Sequence, residues 1–551
     1  MLSRSERTPW EEGNPASKLC VLGEAPSYVE MKLGRPLVGP SGEIFNDLLN
    51  QAGLARAQTY ILNLWPYQVT KDRMGNIYNP YNECLWHNRK GLTDIGEKEG
   101  LASIDKARKC GANAILTLGS PPMDALAGGR RPIMKWRGSP LYSKRISKKF
   151  IPTVHPAATL HGVYVWRYFI LWDMQKVRDE LSHHTLVLPD RNLIIRPSYS
   201  EAMEYFDVCR QAGRVTTDLE CMNNHVSCFS LSYRKDEALT IPFIGPEKED
   251  FWTEEQEIKI WLKYAQLMSD RKVEKINHNL IGFDAVFLFS QCGIYVDCDR
   301  PGDTMIAQSI LYPDFRMGLD VTASMHTRQP YWKDDGKIWK ANSKIPWDTF
   351  QRYCALDAAA TMECWDVLAE KLSTRDGGYW ETYDMTVRLK DALCYMAVRG
   401  LKINKEGLAK TTAMVAKKLE QKYDELAQTA DYPFNPLSPA QCAKYFYEHL
   451  GHDPYKNAAG GISTDDKAMS RLVRKASSGA REAKLVQEIR ALNKLKGTYL
   501  EVELDLDERL RCSWNPRGTV FGRLSSSKTI AGTGMNLQNL HPEFKSFIVA
   551  G

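Results

Sequence analysis

The sequence predicts an α/β protein of several domains, and three observations carry that expectation. With 551 residues the chain is longer than one hydrophobic core usually serves, and about three domains are expected. Up to residue 190, short apolar runs alternate with helical stretches; beyond it strands come first and helices follow. The last third has helical periodicity throughout, so the expected domains are 1–190, 191–375 and 376–551.

In the first segment LCVLGEAP, YILNLWP, AILTLG and FIPTVHP read as buried strands, each ending in a turn, which implies a largely parallel sheet. A basic, histidine-bearing stretch around 176–191 marks its end. The second segment opens with the strands RVTTDLE, VSCFSLSYR and ALTIPF, followed by helices and a further strand at VEKIN. In the third, Leu408, Val415, Leu419 and Leu426 share one helical stripe, and Leu485, Ile489, Leu492, Leu495 and Tyr499 share another. Two long helices that pair are expected, with Ser438 as N-cap of a helix between them.

Composition narrows the classes. Hydrophobic residues make up 43% and charged residues 25%, the balance of a soluble globular protein. The net charge of +6 is compatible with a nucleic-acid partner without arguing for one. No run approaches the roughly 18 apolar residues of a membrane span, and the opening MLSRSERTPWEEGNPASK lacks the apolar core of a signal peptide. No membrane partner is expected, and the expected location is cytoplasmic. The 13 cysteines form no CxxC pair and read as thiols in a reducing compartment.

The chemistry-bearing residues lie in the second segment. Asp218 and Glu220 are two apart in a strand, so both carboxylates leave one face. Like charges held together call for cations, and hard oxygen donors suit Mg²⁺ or Mn²⁺. Asp284 follows Asn279 and Phe283 in NHNLIGFDAVFLF, and Tyr353 and Asp357 stand one helical turn apart in YCALD. Four carboxylates and a tyrosine fit hydrolysis of a phosphodiester with two divalent cations. The tyrosine would orient the attacking water by a hydrogen bond.

The order DxE, Nx₃FD, Yx₃D resembles the DEDDy proofreading exonucleases of DNA polymerases. The resemblance implies an RNase H-like fold, catalysis by Asp218, Glu220, Asp284, Tyr353 and Asp357, metal held by the four acids, and Asn279 against DNA. Asp303 in PGDTMIAQSIL and the run MGLDVTASM match further features of that family.

The third segment resembles family A DNA polymerases in MAVRGLKIN, NPLSPAQ, GGISTDD, NKLKGTY, FGRLSSS and MNLQNLHP. This implies a polymerase thumb and primer–template DNA as partner. Arg523 would reach the minor groove, Asn536 and Gln538 would hold the duplex, and Lys494 and Lys496 would meet phosphates. The two lysines fit a solvated helix face equally well. The spacer KTIAGTGM is longer than the family's. The catalytic polymerase motifs are expected beyond Gly551, so polymerisation by this chain alone is not expected, and a C-terminal polymerase part is an expected partner.

The first segment resembles the uracil-DNA glycosylase superfamily, family 4 above all, in GEAPSYVEMKLGRPLVGPSGEIFNDLL, ILNLWP, MKWRG and TVHPAATL. The resemblance implies a pocket with Glu24 at the water, Asn63 at the base and His155 at the leaving oxygen. Ser27 replaces a family glycine, and Leu37 replaces the phenylalanine that stacks on uracil. Cys20, Cys84 and Cys110 do not reproduce the family's iron–sulfur spacing, and no cluster is expected. A glycosylase-like domain ahead of an exonuclease resembles some phage polymerases, for which the compartment would be the host cytoplasm.

The expected function is therefore a metal-dependent 3′–5′ exonuclease acting on single-stranded 3′ ends, within the front part of a DNA polymerase. The alternatives are a catalytically silent primer–template-binding fragment, or an additional uracil excision activity.

Overall fold

A computed structural model describes residues 10–222, 225–336, 345–457, 460–475, 478–529 and 531–550. By their contacts they fall into two units, one of residues 1–280 and 287–388, the other of residues 281–286 and 389–551.

The first unit contains two sheets. In the N-terminal one, β1 (Leu19–Gly23), β2 (Thr59–Asn63), β3 (Ala114–Leu118) and β4 (Lys148–Thr153) run parallel in the order β2-β1-β3-β4. Short antiparallel strands, Glu11–Glu12 and Leu141–Ser143, close its two edges. These are the four apolar runs of the sequence. Being parallel, their strands are covered on both faces, so they are apolar throughout instead of alternating. Helices α1 (Pro40–Gln51) and α2 (Trp166–Glu180) cover one face, where Phe45, Leu48, Ile170, Met174 and Val177 pack on Val21, Ile61 and Leu116.

The second sheet is mixed. β5 (Arg214–Met222), β6 (His225–Arg234) and β7 (Glu237–Pro242) form an antiparallel meander. Parallel to β5 runs β8 (Glu274–Asn277), followed by Gly302–Asp303, while Asn192–Ile194 runs parallel to β7 at the far edge. After β8 come α3 (Asp284–Cys292), α4 (Thr304–Leu311) and the 28-residue α5 (Trp347–Thr374).

The N-terminal domain and this second domain join through buried charges. Arg137 and Asp173, 2% and 0% exposed as side chains, form an ion pair. Arg137 also donates to Ser324 Oγ at 3.0 Å, and Lys176 Nζ donates to the Ser324 carbonyl at 2.6 Å. Ser324 belongs to MGLDVTASM, so that run docks against the first domain. Phe315 adds an aromatic contact with Phe169, with ring centroids 4.9 Å apart.

The second unit is mostly helical. α6 (Lys405–Thr429) buries Leu408, Val415, Leu419 and Leu426, the stripe the sequence marks. α7 (Ala480–Lys494) packs on it through Leu485 and Ile489 and continues as a wider helical turn over Leu495–Leu500. Ser438 caps the helix Pro439–Ala443 by accepting from Gln441 N–H.

Candidate metal centre and nucleic-acid interface

Asp218 and Glu220 project from β5, opposite Ser230 and Cys228 of β6, and the register shifts directly after Glu220. Such a bulge re-aims the strand where it leaves the sheet. Over this strand lies α5, and its approach is set by small residues. Cys354, Ala355, Ala358 and Ala359 are fully buried. The hydroxyls of Thr216, Ser230 and Thr240 donate to the helix carbonyls of Ala358, Cys354 and Gln351 at 3.0, 2.7 and 2.9 Å. Held this close, the helix delivers Tyr353 and Asp357 to the face that carries Asp218 and Glu220.

One oxygen each of Asp218, Glu220 and Asp357 lie within 4.8 Å of one another. Oxygens on an octahedral Mg²⁺ or Mn²⁺ stand roughly 3–4 Å apart. The three carboxylates therefore fit a hard divalent cation after side-chain adjustments of under about an ångström.

The sequence placed four acids together, whereas the described cluster holds three. Asp284 is buried on the first turn of α3, in the short stretch that groups with the second unit, and is not one of the three. It starts a helix directly after the turn at residues 280–283. That turn is held by Asp303. Its carboxylate accepts from the backbone N–H groups of Asn279, Leu280, Met305 and Ile306 at 3.3, 2.9, 3.0 and 3.1 Å. Asn279 itself sits at φ 75°, left-handed backbone that asparagine tolerates.

Two further side chains reach the cluster. Trp332 Nε1 donates to Asp357 Oδ1 at 2.6 Å, and Lys333 Nζ donates to Asp357 Oδ2 at 2.5 Å. The Lys333 ammonium is also 4.8 Å from the Tyr353 ring centre. Burial pulls the lysine's pKa down, but Asp357, Asp218 and Glu220 push it up by more, so it stays charged. Burial, then Asp357, Glu220 and Asp218, push the Tyr353 phenol far up. Tyr353 thus remains a protonated donor and is not a base at neutral pH. Sequence reasoning missed Trp332 and Lys333. They stand in PYWKDD, between two motifs, and no spacing links them to either.

The other expected residues belong to the second unit and to the N-terminal domain. Lys494 is exposed at the end of α7, and Lys496 pairs with Glu501 at 3.0 Å. Arg523 is exposed. Ser526 Oγ donates to Asn536 Oδ1 at 2.9 Å, and Gln538 Nε2 donates to the Leu524 carbonyl at 2.8 Å. The two expected DNA-binding segments are thereby tied to each other, and the amides of Asn536 and Gln538 are partly engaged within the protein. Ile530, in the long spacer, lies outside the described residues.

In the N-terminal domain Glu24 is bound by Lys71 at 2.8 Å. Asn63 is buried at the end of β2. His155 Nδ1 accepts from Ala157 N–H at 3.2 Å, and burial holds its pKa below the ordinary value against the pull of Glu24. Leu37 is buried among Phe45 and Leu48, with φ 48°. The Cys20 and Cys110 thiols interact with each other, while Cys84 donates to the Trp86 carbonyl.

Three family models match consecutive stretches: the uracil DNA glycosylase superfamily over residues 10–177, 3′–5′ exonuclease over 197–373, and DNA polymerase family A over 405–545. The three matches follow one another along the chain. The chain resembles a DNA polymerase I of Treponema pallidum, 26% identical over 362 residues, which are 64% of this chain and 32% of that protein. The glycosylase-like domain resembles a type-4 uracil-DNA glycosylase of Thermotoga maritima, 29% identical over 169 residues, 30% of this chain and 79% of that enzyme. Against the DNA polymerase I proteins of Treponema pallidum and Rhizobium leguminosarum, the chain spans 32% and 27% of their length. Among solved structures, the polymerase domain of Pol1 from M. smegmatis superposes with a TM-score of 0.51 and 18% identity, covering 65% of this chain and 59% of that one. This last likeness is one of fold. The acidic cluster lies wholly within the exonuclease domain.

Proposed function

We propose that the chain is a divalent-metal-dependent 3′–5′ exonuclease that trims DNA 3′ ends, as the proofreading part of a family A DNA polymerase. One observation carries the reading: Asp218, Glu220 and Asp357 converge within 4.8 Å in the domain that matches the 3′–5′ exonuclease family. These carboxylates would hold Mg²⁺ or Mn²⁺, with Asp284 as a further ligand. When bound, the cations would activate water and offset charge on the scissile phosphate. Tyr353 holds its proton and directs it at the incoming water. Trp332 and Lys333 keep the Asp357 carboxylate in one orientation.

The partner is DNA. The M. smegmatis domain was solved with DNA primer-template and dNTP. On the same basis residues 405–545 are assigned to primer–template binding, with Lys494 and Lys496 at phosphates, Arg523 in the minor groove, and Asn536 and Gln538 supporting it. Asn279 would contact the strand being trimmed.

The test is digestion of 5′-labelled single-stranded DNA with Mg²⁺ or Mn²⁺. A ladder shortening from the 3′ end is expected. EDTA and the double substitution Asp218→Ala, Asp284→Ala should abolish it. Absence of a ladder with the unaltered chain, or an unchanged ladder with the double variant, overturns the assignment.

A further inference from the structure

Residues 327–332 belong to no helix or strand, so no ladder of backbone hydrogen bonds fixes them. Side chains hold this strap instead, and they hold it on two sides. On the N-terminal side, Ser139 Oγ accepts from the Tyr331 N–H at 3.1 Å, and the Trp136 and Tyr331 rings pack with centroids 5.3 Å apart. Lys135 Nζ pairs with Asp334 Oδ1 at 2.6 Å, and Tyr331 Oη donates to the same carboxylate oxygen at 3.0 Å. Upstream, Arg328 pairs with Glu180 at the end of α2. On the other side, Trp332 and Lys333 each donate to one oxygen of Asp357. Gly336 lies so close to the Tyr353 ring that a methyl group there would overlap it.

Tyr331 and Asp334 thus face the glycosylase-like domain, and the two residues between them face the acidic cluster. We propose that the glycosylase-like domain sets the geometry of the exonuclease centre through this strap, with Lys135, Trp136 and Ser139 acting as remote positioning residues for Asp357. The inference rests on the exonuclease reading for its activity arm only. Groups that hydrogen-bond a metal-ligating carboxylate fix its orientation, and their loss typically weakens metal binding or activity ten- to a hundredfold. Because Tyr331 and Asp334 are the chain neighbours of Trp332 and Lys333, a shift at the outer contacts moves the inner donors.

The experiment is an Mn²⁺ titration of the full chain, followed by the electron paramagnetic resonance signal of free Mn²⁺, with exonuclease kinetics in parallel. Trp332→Phe, which removes the donor to Asp357 and keeps an aromatic ring, should weaken Mn²⁺ binding by about tenfold or more. Lys135→Glu, at a half-exposed pair, should weaken it by about threefold and lower kcat to a similar degree with KM for DNA unchanged. Its thermal midpoint should stay that of the unaltered chain. The exchange Lys135→Glu with Asp334→Lys should restore Mn²⁺ binding, which a general loss of stability would not do.

A Lys135→Glu titration superimposing on that of the unaltered chain, while Trp332→Phe is weakened, overturns the coupling between the domains. Unchanged binding in both variants overturns the positioning role altogether. An unaltered chain that binds Mn²⁺ but digests no DNA defeats the exonuclease reading, and the Mn²⁺ arm still decides the coupling.

Discussion

The ammonium nitrogen of Lys333 lies 2.5 Å from Oδ2 of Asp357, so the carboxylate cluster already contains a positive charge supplied by the chain. This relationship has a sign that can be measured. A bound divalent cation would share Asp357 with Lys333, and two positive charges a few ångströms apart in a buried site repel. Replacement by Lys333→Met should therefore tighten Mn²⁺ binding by well over tenfold, since two unit charges about 4 Å apart already repel by about 4 kcal/mol at an effective dielectric near 20. The direction is opposite to that of Trp332→Phe, which removes a neutral dipole. Because the lysine is largely buried, the effect should change little between low and moderate salt. Weaker Mn²⁺ binding by Lys333→Met would show that its role is structural support and not charge.

A second prediction concerns acid stability. His278 is held far below its ordinary pKa, at about 3, by burial first and then by the nearby Lys333 charge. Burial likewise drives His326 down, aided by Lys371. A histidine with a depressed folded-state pKa takes up its proton more readily when unfolded. Its contribution to stability is complete above the unfolded value of 6.5 and is lost as pH falls from there toward about 3. The loss is about 1.4 kcal/mol per pH unit for each such group. Urea unfolding at pH 7, 6 and 5 should give a falling free energy for the first unit, with a visibly shallower slope in His278→Gln. An unchanged slope in that variant would remove His278 from the account.

Most of the architecture was legible in the sequence because its signals are local. Four apolar runs that end in turns read as strands covered on both faces, and they form the parallel core of the N-terminal sheet. The stripe Leu408, Val415, Leu419, Leu426 is a property of one helix and survives in α6 unchanged. The pair Asp218 and Glu220 was legible for the same reason, since alternation along a strand puts both on one face. So was the pair Tyr353 and Asp357, one helical turn apart. What local patterns could not give was contact across long loops. Trp332 and Lys333 reach Asp357 from a strap whose other contacts lie almost 200 residues upstream in sequence, at Lys135. Asp284 was readable as a motif residue, but the tie from Asp303 to Asn279 in the preceding turn, across 24 residues, was not.

The junction between the first two domains offers a third prediction. Arg137 and Asp173 are buried as a pair, and Asp173 also accepts from Thr153 Oγ1 at 2.7 Å. Removing one partner leaves an uncompensated buried charge, which costs about 3–5 kcal/mol. Arg137→Met should lower the calorimetric unfolding temperature by several degrees and, through Ser324, loosen the docking of the MGLDVTASM run. The double substitution Arg137→Met, Asp173→Leu should recover much of the loss, because neither member is then left charged. Equal losses in the single and double variants would mean that packing, not charge, holds this junction.

The last prediction bears on the glycosylase-like domain. Uracil excision requires a flipped base in a pocket, with a water activated beside it and a donor at the leaving oxygen. His155 is suited to the donor role, since its Nδ1 accepts from backbone and a neutral ring then carries its proton on Nε2. The other two parts are compromised. Glu24 is engaged by the Lys71 ammonium at 2.8 Å and 3.2 Å through its two oxygens, which occupies the carboxylate where a water would have to bind. Leu37 is buried in the apolar core and offers no aromatic face for stacking. Uracil-containing DNA incubated with the Asp218→Ala chain and then treated with alkali should therefore show no breaks above background. Breaks that appear with that chain and vanish when His155→Ala is added would establish a working glycosylase despite the Glu24–Lys71 pair. Breaks gained by Lys71→Ala alone would identify that ion pair as the element that silences the pocket.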